Sequence, residues 1–283
     1  MRLNKQIILD KLVINQDKRK CFIFDLDGTI IFKNQFLSNN IDTLLKQIKQ
    51  EGHKLVFATG RPLREFKAVM PLWTHSLPLS VFSGCVSVIN GNLLRSNYIP
   101  EQLVSEIADI CVTNSFPFIM DSLTHYYHPP MKNLVLGILD KRSFKYHVGN
   151  LKQILGTEIY KVLVFDMEAH DSFIKYAKHN DLLIKHHSYD DCFDIVPKEC
   201  NKYIGVEPFV QGFSNEDVFV FGNDYNDYEI LKHFHNSVLF GDIEDLQKIS
   251  RLNLPYNDFL EHNFEILIET ILYPQVHLAK MSQ

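Results

Sequence analysis

An apolar run, Phe22-Ile23-Phe24, ends directly at two carboxylates, Asp25 and Asp27, separated by one residue and followed by Gly28 and Thr29. In an open parallel sheet, ligands bind beyond the carboxyl ends of the strands, which is where this pair would stand. Two such acids repel unless a cation or a proton compensates them. Mg²⁺ is the economical compensator, because it prefers hard oxygen ligands and often brings a phosphate with it. One carboxylate could then act as nucleophile and the other as general acid and base. Gly28 allows a sharp turn of the backbone. The alternative reading is an Asp-Gly turn that merely joins two elements.

The run Asp25-Leu26-Asp27-Gly28-Thr29 resembles the first motif, Asp-x-Asp-x-Thr, of the haloacid-dehalogenase-like hydrolases. Three further segments resemble that family's other motifs, in the family's order. Lys54-Leu55-Val56-Phe57-Ala58-Thr59-Gly60-Arg61-Pro62 resembles the second, a strand ending at Ser or Thr. Phe193–Pro197 reads as a returning strand, followed by Lys198 and Lys202. In the Cof-type branch a lysine opens a helix after such a strand and proline; Lys202 has the better spacing and Lys198 is the reserve. Val218–Phe221 followed by Gly222-Asn223-Asp224-Tyr225-Asn226-Asp227 resembles the acidic fourth motif, usually Gly-Asp-x-x-Asn-Asp. Asn223 stands where the first Asp is expected, which leaves the metal ligand open among Asn223, Asp224 and Asp227.

The resemblance implies phosphate-ester hydrolysis through an aspartyl-phosphate. Asp25 would be the nucleophile and Asp27 the acid and base, with Thr59 and Lys202 completing the catalytic set. Gly28, Thr29, Gly60, Arg61 and Asn226 would surround the phosphoryl group. Mg²⁺ would rest on Asp25, the Asp27 carbonyl and the Asn223 side chain, with Asp227 holding a water and pairing with Lys202. In the competing register Asp224 takes the place of Asn223. Dehalogenases lack an acid at the position of Asp27 and P-type ATPases have Thr there. The implied activity is therefore that of a phosphatase on a small phosphorylated metabolite. A phosphotransferase or sugar phosphomutase, and a catalytically weak phospho-ligand-binding protein, are the alternatives.

The elements that must position these residues are legible as short apolar runs at Cys21–Phe24, Lys54–Ala58, Val81–Phe82, Lys161–Phe165 and Val218–Phe221. Residues 41–50 place Ile41, Leu44, Leu45 and Ile48 on one helical face, with Asn39 or Asn40 as cap. Strands alternating with such helices predict an α/β fold around a mainly parallel sheet. Pro100–Val112 and Asp171–Asn180 read as helices and Asn133–Leu139 as a strand, while residues 1–20 read as a packed helix or strand. With the resemblance, this becomes a Rossmann-like core with helices on both faces, residues 1–88 and 189–283, and an inserted α/β cap, residues 89–188. Ile89-Asn90-Gly91 resembles the turn into that cap, and Asn236–Gly241 the final core strand. Within the cap, Phe116, Phe118, His125, Tyr126, Tyr127 and His128 could stack on a ring or bind sugar hydroxyls, or could form strand core. Adjacent His186 and His187 would point to opposite faces of a strand, which argues against a shared metal. Arg61 and Arg64 could steer anions or form ordinary salt bridges.

Composition narrows the partners. The 283 residues are 46% apolar and 22% charged, which excludes general disorder and allows two domains. Lys and Arg number 29 against 34 Asp and Glu, a net charge of −5 that argues against a nucleic-acid binder. The five cysteines, Cys21, Cys85, Cys111, Cys192 and Cys200, are widely spaced, with no disulfide framework or Cys-x-x-Cys pair. The first twenty residues lack the apolar core of a signal peptide. Ala68–Leu94 carries no Lys, Arg, Asp or Glu, but its prolines, serines, His75 and Asn90 read as loop, strand and turn rather than a membrane span. The expectation is a cytoplasmic protein with no membrane, nucleic-acid or obligate protein partner.

Overall fold

The computed structural model describes residues 3–32, 36–130, 145–166, 168–186, 191–256 and 260–274. They fall into two compact units, one from residues 1–58, 77–79 and 206–283, the other from 59–76 and 80–205.

In the first unit five parallel strands lie side by side in the order Leu252–Leu254, Asn236–Phe240, Val218–Gly222, Cys21–Phe24 and Lys54–Ala58. Cys21–Phe24 and Val218–Gly222 are buried at every position. That matches their unbroken apolar sequence, as expected of a sheet covered on both faces. Their aromatic residues stack across the strands; the Phe24 and Phe221 ring centroids are 4.5 Å apart. The helix Asn39–Gln50 buries the four expected residues, Ile41, Leu44, Leu45 and Ile48. Its cap is Ser38 rather than Asn39 or Asn40: the Ser38 hydroxyl accepts from the Ile41 N–H at 3.3 Å. The packed element expected in the first twenty residues is the helix Lys5–Lys11, which lies against the helix Leu260–Leu272.

In the second unit five strands form an antiparallel sheet in the order Tyr126–Tyr127, Phe118–Ser122, Ile159–Val164, Phe193–Pro197 and Leu182–His186. The strand expected at Lys161–Phe165, within residues 89–188, is Ile159–Val164 of this sheet. Period-two alternation divides the faces. Phe118, Met120, Val162, Val164, Phe193 and Ile195 join the core, with Ile107 of the helix Glu101–Thr113 and Phe173 of the helix His170–His179. Each helix lies within one residue of the expected span. The hairpin Val86–Ile89 and Asn92–Ser96 closes on Asn90 (φ 51°) and Gly91 (φ 78°). Two positive φ values in a two-residue loop match the twist of the flanking strands, which is why Asn-Gly suits this turn. The strand predicted at Val81–Phe82 is Leu79–Val81; Phe82 (φ 52°) and Ser83 (φ 55°) turn the chain away. The strand predicted at Asn133–Leu139 lies outside the described residues. No helix among the described residues is long and apolar enough to cross a membrane, and Ala68–Leu94 is divided among short elements.

Candidate active site

Asp25 is the first residue beyond the central strand of the parallel sheet. Its N–H donates to the Phe221 carbonyl at 2.9 Å, carrying the ladder one step further, and its side chain is buried. The chain then turns tightly: the Gly28 N–H donates to Ile31 O at 2.8 Å and the Thr29 N–H to Leu26 O at 3.1 Å. Gly28 has φ +79°, and a Cβ there would lie 2.2 Å from the Asn223 Nδ2. Glycine is therefore required both by the backbone and by the approach of Asn223. The turn buries Thr29 completely. Its hydroxyl lies 3.3 Å from Asp25 Oδ2 and 3.4 Å from Asn223 Oδ1. A hydroxyl carries one proton, so it can donate to only one of these oxygens at a time. Asp27 is half-buried on the same loop.

The fourth-motif loop is braced by its own acids. Asp227 Oδ2 accepts from the Asn223 N–H at 2.9 Å and from the Asp224 N–H at 3.2 Å. Gly222 makes room for this, since a Cβ there would lie 2.6 Å from the Asp227 Cγ. Asp224 accepts from the Tyr225 N–H at 2.7 Å. The carboxylates of Asp224 and Asp227 thus hold the loop, whereas the Asn223 side chain reaches the Asp25–Thr29 group. Asn226 Oδ1 is buried with no hydrogen-bond partner among the described residues.

No three His, Cys, Asp or Glu side chains among the described residues enclose a common point. The donors that do converge are one carboxylate, Asp25, and one amide oxygen, Asn223. Such hard, sparsely charged oxygen sets suit Mg²⁺, which usually keeps several waters and takes only one or two carboxylates.

The second unit carries the remaining motif residues. Thr59 is fully buried; its N–H donates to Ser80 O at 2.9 Å, and its carbonyl accepts from the Ser83 N–H at 3.0 Å. Its hydroxyl accepts from the Arg61 N–H at 3.0 Å, and Arg61 is half-buried. Lys202 is fully buried at the start of the helix Lys202–Val210, where Asn201 Oδ1 accepts from the Ile204 N–H at 2.9 Å. Lys198, the reserve, is 64% exposed and pairs with Asp181. The helix is held close to the Thr59 frame: a Cβ on Gly205 would lie 2.1 Å from Ser80 Oγ, and one on Gly84 would lie 1.9 Å from Asn201 O.

One feature of this unit escaped the sequence. The sheet face opposite the core carries Asp121, Lys161, Asp194 and Lys185 on four successive strands. Asp121 is in register with Lys161, and Asp194 with Lys185. Lys161 Nζ lies 3.2 Å from Asp194 Oδ1 and donates to Gly60 O at 3.3 Å. Asp121 pairs with Arg64, whose guanidinium lies 4.4 Å from the Tyr126 ring centroid. Burial lowers the Lys161 pKa, but Asp194, Asp121 and Glu65 outweigh it and hold the pKa above the ordinary value. A charged residue recurring at the same phase of strands otherwise apolar was the available signal. Of the aromatic and imidazole cluster, Phe118 and Tyr126 are buried core, while Phe116 and Tyr127 pack against it. Arg64 is committed to Asp121 and Glu65, the ordinary salt-bridge alternative. His186 meets His170, and His187 lies outside the described residues.

A parallel sheet with an acid pair at the end of its central strand defines a class, and comparison with known proteins places the chain in it. Residues 22–254 match the haloacid dehalogenase-like hydrolase family, and the chain belongs to that family, in its Cof-type branch. It is 23% identical over 251 residues to the 5-amino-6-(5-phospho-D-ribitylamino)uracil phosphatase YitU of Bacillus subtilis, covering 83% of this chain and 91% of that one. It is 23% identical over 241 residues to the HMP-PP phosphatase of Cronobacter sakazakii, covering 77% and 82%. Among solved structures, a hypothetical protein from Geobacillus kaustophilus superposes with TM-score 0.73 at 20% identity, covering 93% of this chain and 99% of that one. A subclass IIB sugar phosphatase of the superfamily superposes with TM-score 0.71 at 18% identity, covering 89% and 99%.

Proposed function

We propose that this chain is a Mg²⁺-dependent phosphatase that hydrolyses a small phosphorylated metabolite through a phosphoryl-enzyme intermediate on Asp25. The observation that carries this reading is the convergence of Asp25, Thr29 and Asn223 at the end of the central strand. The family membership supports it, as do the printed activities of the two curated relatives, both phosphatases.

Asp25 attacks phosphorus in line with the leaving oxygen. Asp27 gives a proton to the departing alkoxide and then takes one from the water that cleaves the acyl phosphate. Thr29 holds the Asp25 carboxylate in orientation. Thr59, Gly60, Arg61, Asn226 and the turn at Gly28 bind phosphoryl oxygens, and Lys202 neutralises their charge. Asp25, the Asp27 carbonyl and Asn223 would hold Mg²⁺, with Asp224 as the alternative ligand and Asp227 holding a water. When bound there, the cation would offset phosphoryl charge. Residues 1–88 and 189–283 act as the catalytic core and residues 89–188 as a cap that selects the substrate, its sheet continued by Phe193–Pro197. A sugar phosphate or a similar metabolite is the substrate class.

The test is phosphate release from para-nitrophenyl phosphate with and without Mg²⁺, followed by a panel of phosphorylated metabolites. Mg²⁺-dependent release above an Asp25→Asn control supports the reading, and its absence across the panel overturns it. Transfer of the phosphoryl group to an alcohol or sugar in place of water would make the chain a phosphotransferase or mutase.

A further inference from the structure

Two cysteines of the second unit, far apart in sequence, meet within the frame that leads into the Lys202 helix. Gly84, next to Cys85, presses against Asn201, next to Cys200, so closely that a Cβ on Gly84 would lie 1.9 Å from the Asn201 carbonyl oxygen. Asn97 touches both cysteines. Its N–H donates to the Cys85 carbonyl at 2.9 Å and its Nδ2 donates to Cys200 Sγ at 3.5 Å. The two thiols also act on each other's protonation, raising the pKa of Cys85 and lowering that of Cys200. Cys85 Sγ lies 3.6 Å from the Tyr160 carbonyl, an acceptor for its proton in the reduced pair.

The charges around the pair are cationic on the Cys200 side. Lys185 ends the charged row of the sheet and donates to Ser83 O at 3.3 Å; burial lowers its pKa, and Cys85, Cys200 and Asp194 partly oppose this. Arg95 donates to the Glu199 carbonyl at 3.3 Å, beside Cys200. The contact with Cys85, together with Lys185, Arg95 and Asn97, holds the Cys200 thiol below its ordinary pKa against the opposing effect of burial. Burial and the contact with Cys200 push Cys85 the other way. Burial alone dominates at Cys21 and Cys111, both pushed up to about 12. The arrangement is thus one acidic thiol beside one resolving thiol, as in dithiol redox sites.

We infer that Cys85 and Cys200 form a peroxide-responsive dithiol, with Cys200 as the attacking sulfur and Cys85 as the resolving one. The Cys200 thiolate attacks one peroxide oxygen; the O–O bond breaks, and the departing hydroxide is protonated to water. Cys200 is left as a sulfenic acid. The sulfur of Cys85 then attacks the Cys200 sulfur, the S–O bond breaks, and the hydroxyl leaves as a second water with the Cys85 proton. Two thiols are oxidised by two electrons to one disulfide, and one peroxide is reduced to two waters. Both sulfurs are buried, so the oxidant, little larger than water, enters through local opening of the frame. The resulting bond ties the turn at Cys85 to the residue two before Lys202.

The full chain, reduced and desalted, is treated with graded hydrogen peroxide, then alkylated under denaturing conditions. The expected result is three alkyl groups in place of five and a peptide joining Cys85 to Cys200, with Cys21 and Cys111 still alkylated. Dithiothreitol restores all five. In Cys85→Ser a sulfenic acid on Cys200 should be trapped by dimedone, and Lys185→Met should slow disulfide formation several-fold in the otherwise unchanged chain. Oxidation that proceeds evenly over the five thiols, that spares Cys200, or that yields no Cys85–Cys200 linkage overturns the assignment.

Discussion

Gly28 and Asn223 are in direct contact, the glycine of the first motif against the amide that replaces an acid in the fourth. A Cβ on Gly28 would stand 2.2 Å from Asn223 Nδ2 and 2.7 Å from the Tyr256 hydroxyl, which donates to Gly28 O at 2.6 Å. Gly28→Ala should therefore displace Asn223 as well as strain a backbone at φ +79°. The expected outcome is a stability loss of about 1–3 kcal/mol, the usual range for a strained non-glycine residue, together with a higher Mg²⁺ requirement. Thermal unfolding and a Mg²⁺ titration of activity check the two effects separately.

The bracing of the fourth-motif loop makes different predictions for its two neighbouring residues. Asp224 caps the Tyr225 N–H, a task that Asn performs about as well. Asp224→Asn should leave the Mg²⁺ requirement close to wild type. Asn223→Asp adds a negative charge beside Asp25 and should lower the Mg²⁺ concentration needed for half activity. A sharp rise in that concentration for Asp224→Asn would give the ligand role to Asp224.

The acid pair was legible because it ends an apolar strand, and strand ends are where a parallel sheet presents its chemistry. Thr59, Lys202 and Asn223 to Asp227 were picked out by their resemblance to the family's ordered motifs. The strand Cys21–Phe24 was read from its unbroken apolar run and a helix over residues 41–50 from the spacing of Ile41, Leu44, Leu45 and Ile48; the helix begins at Asn39, because Ser38 out-competed Asn39 and Asn40 as cap. What could not be read was pairing across long sequence distances. Lys161–Phe165 looks like any buried strand, and nothing local says that its neighbours run antiparallel. The row Asp121, Lys161, Asp194 and Lys185 exists only once four strands are in register. The meeting of Cys85 and Cys200 likewise depends on Gly84 packing on Asn201.

Glu65 gives the account a pH dependence. Burial and the Asp121 charge raise its pKa, and Arg64, Arg61 and Lys161 only partly oppose them. Its contribution to stability is fully present below the ordinary carboxyl pKa. It is lost as pH rises through the elevated folded-state value, because the unfolded chain releases the proton first. Glu65→Gln should therefore gain stability relative to wild type as pH rises, with the gain vanishing in acid. Thermal midpoints across a pH series check the sign; a difference independent of pH contradicts it.

Tyr126 is part of the packed interior. It is 1% exposed, with Arg64 over its ring. Tyr126→Ala should cost about 3–5 kcal/mol, the range for truncating a buried aromatic residue, whereas half-buried His128→Ala should cost far less. Denaturant unfolding of the two variants measures this, and near-equal midpoints would place Tyr126 outside the core.

The central claim is that Asp25 is the nucleophile. The most direct measurement is the turnover of Asp25→Asn on para-nitrophenyl phosphate with saturating Mg²⁺, on protein shown to be folded by its thermal unfolding. The amide keeps the volume of the carboxylate but cannot attack phosphorus. Nearly complete loss of turnover is the predicted result. A folded variant retaining more than about a tenth of wild-type turnover, a barrier change of only ~1.4 kcal/mol, would contradict covalent catalysis at Asp25.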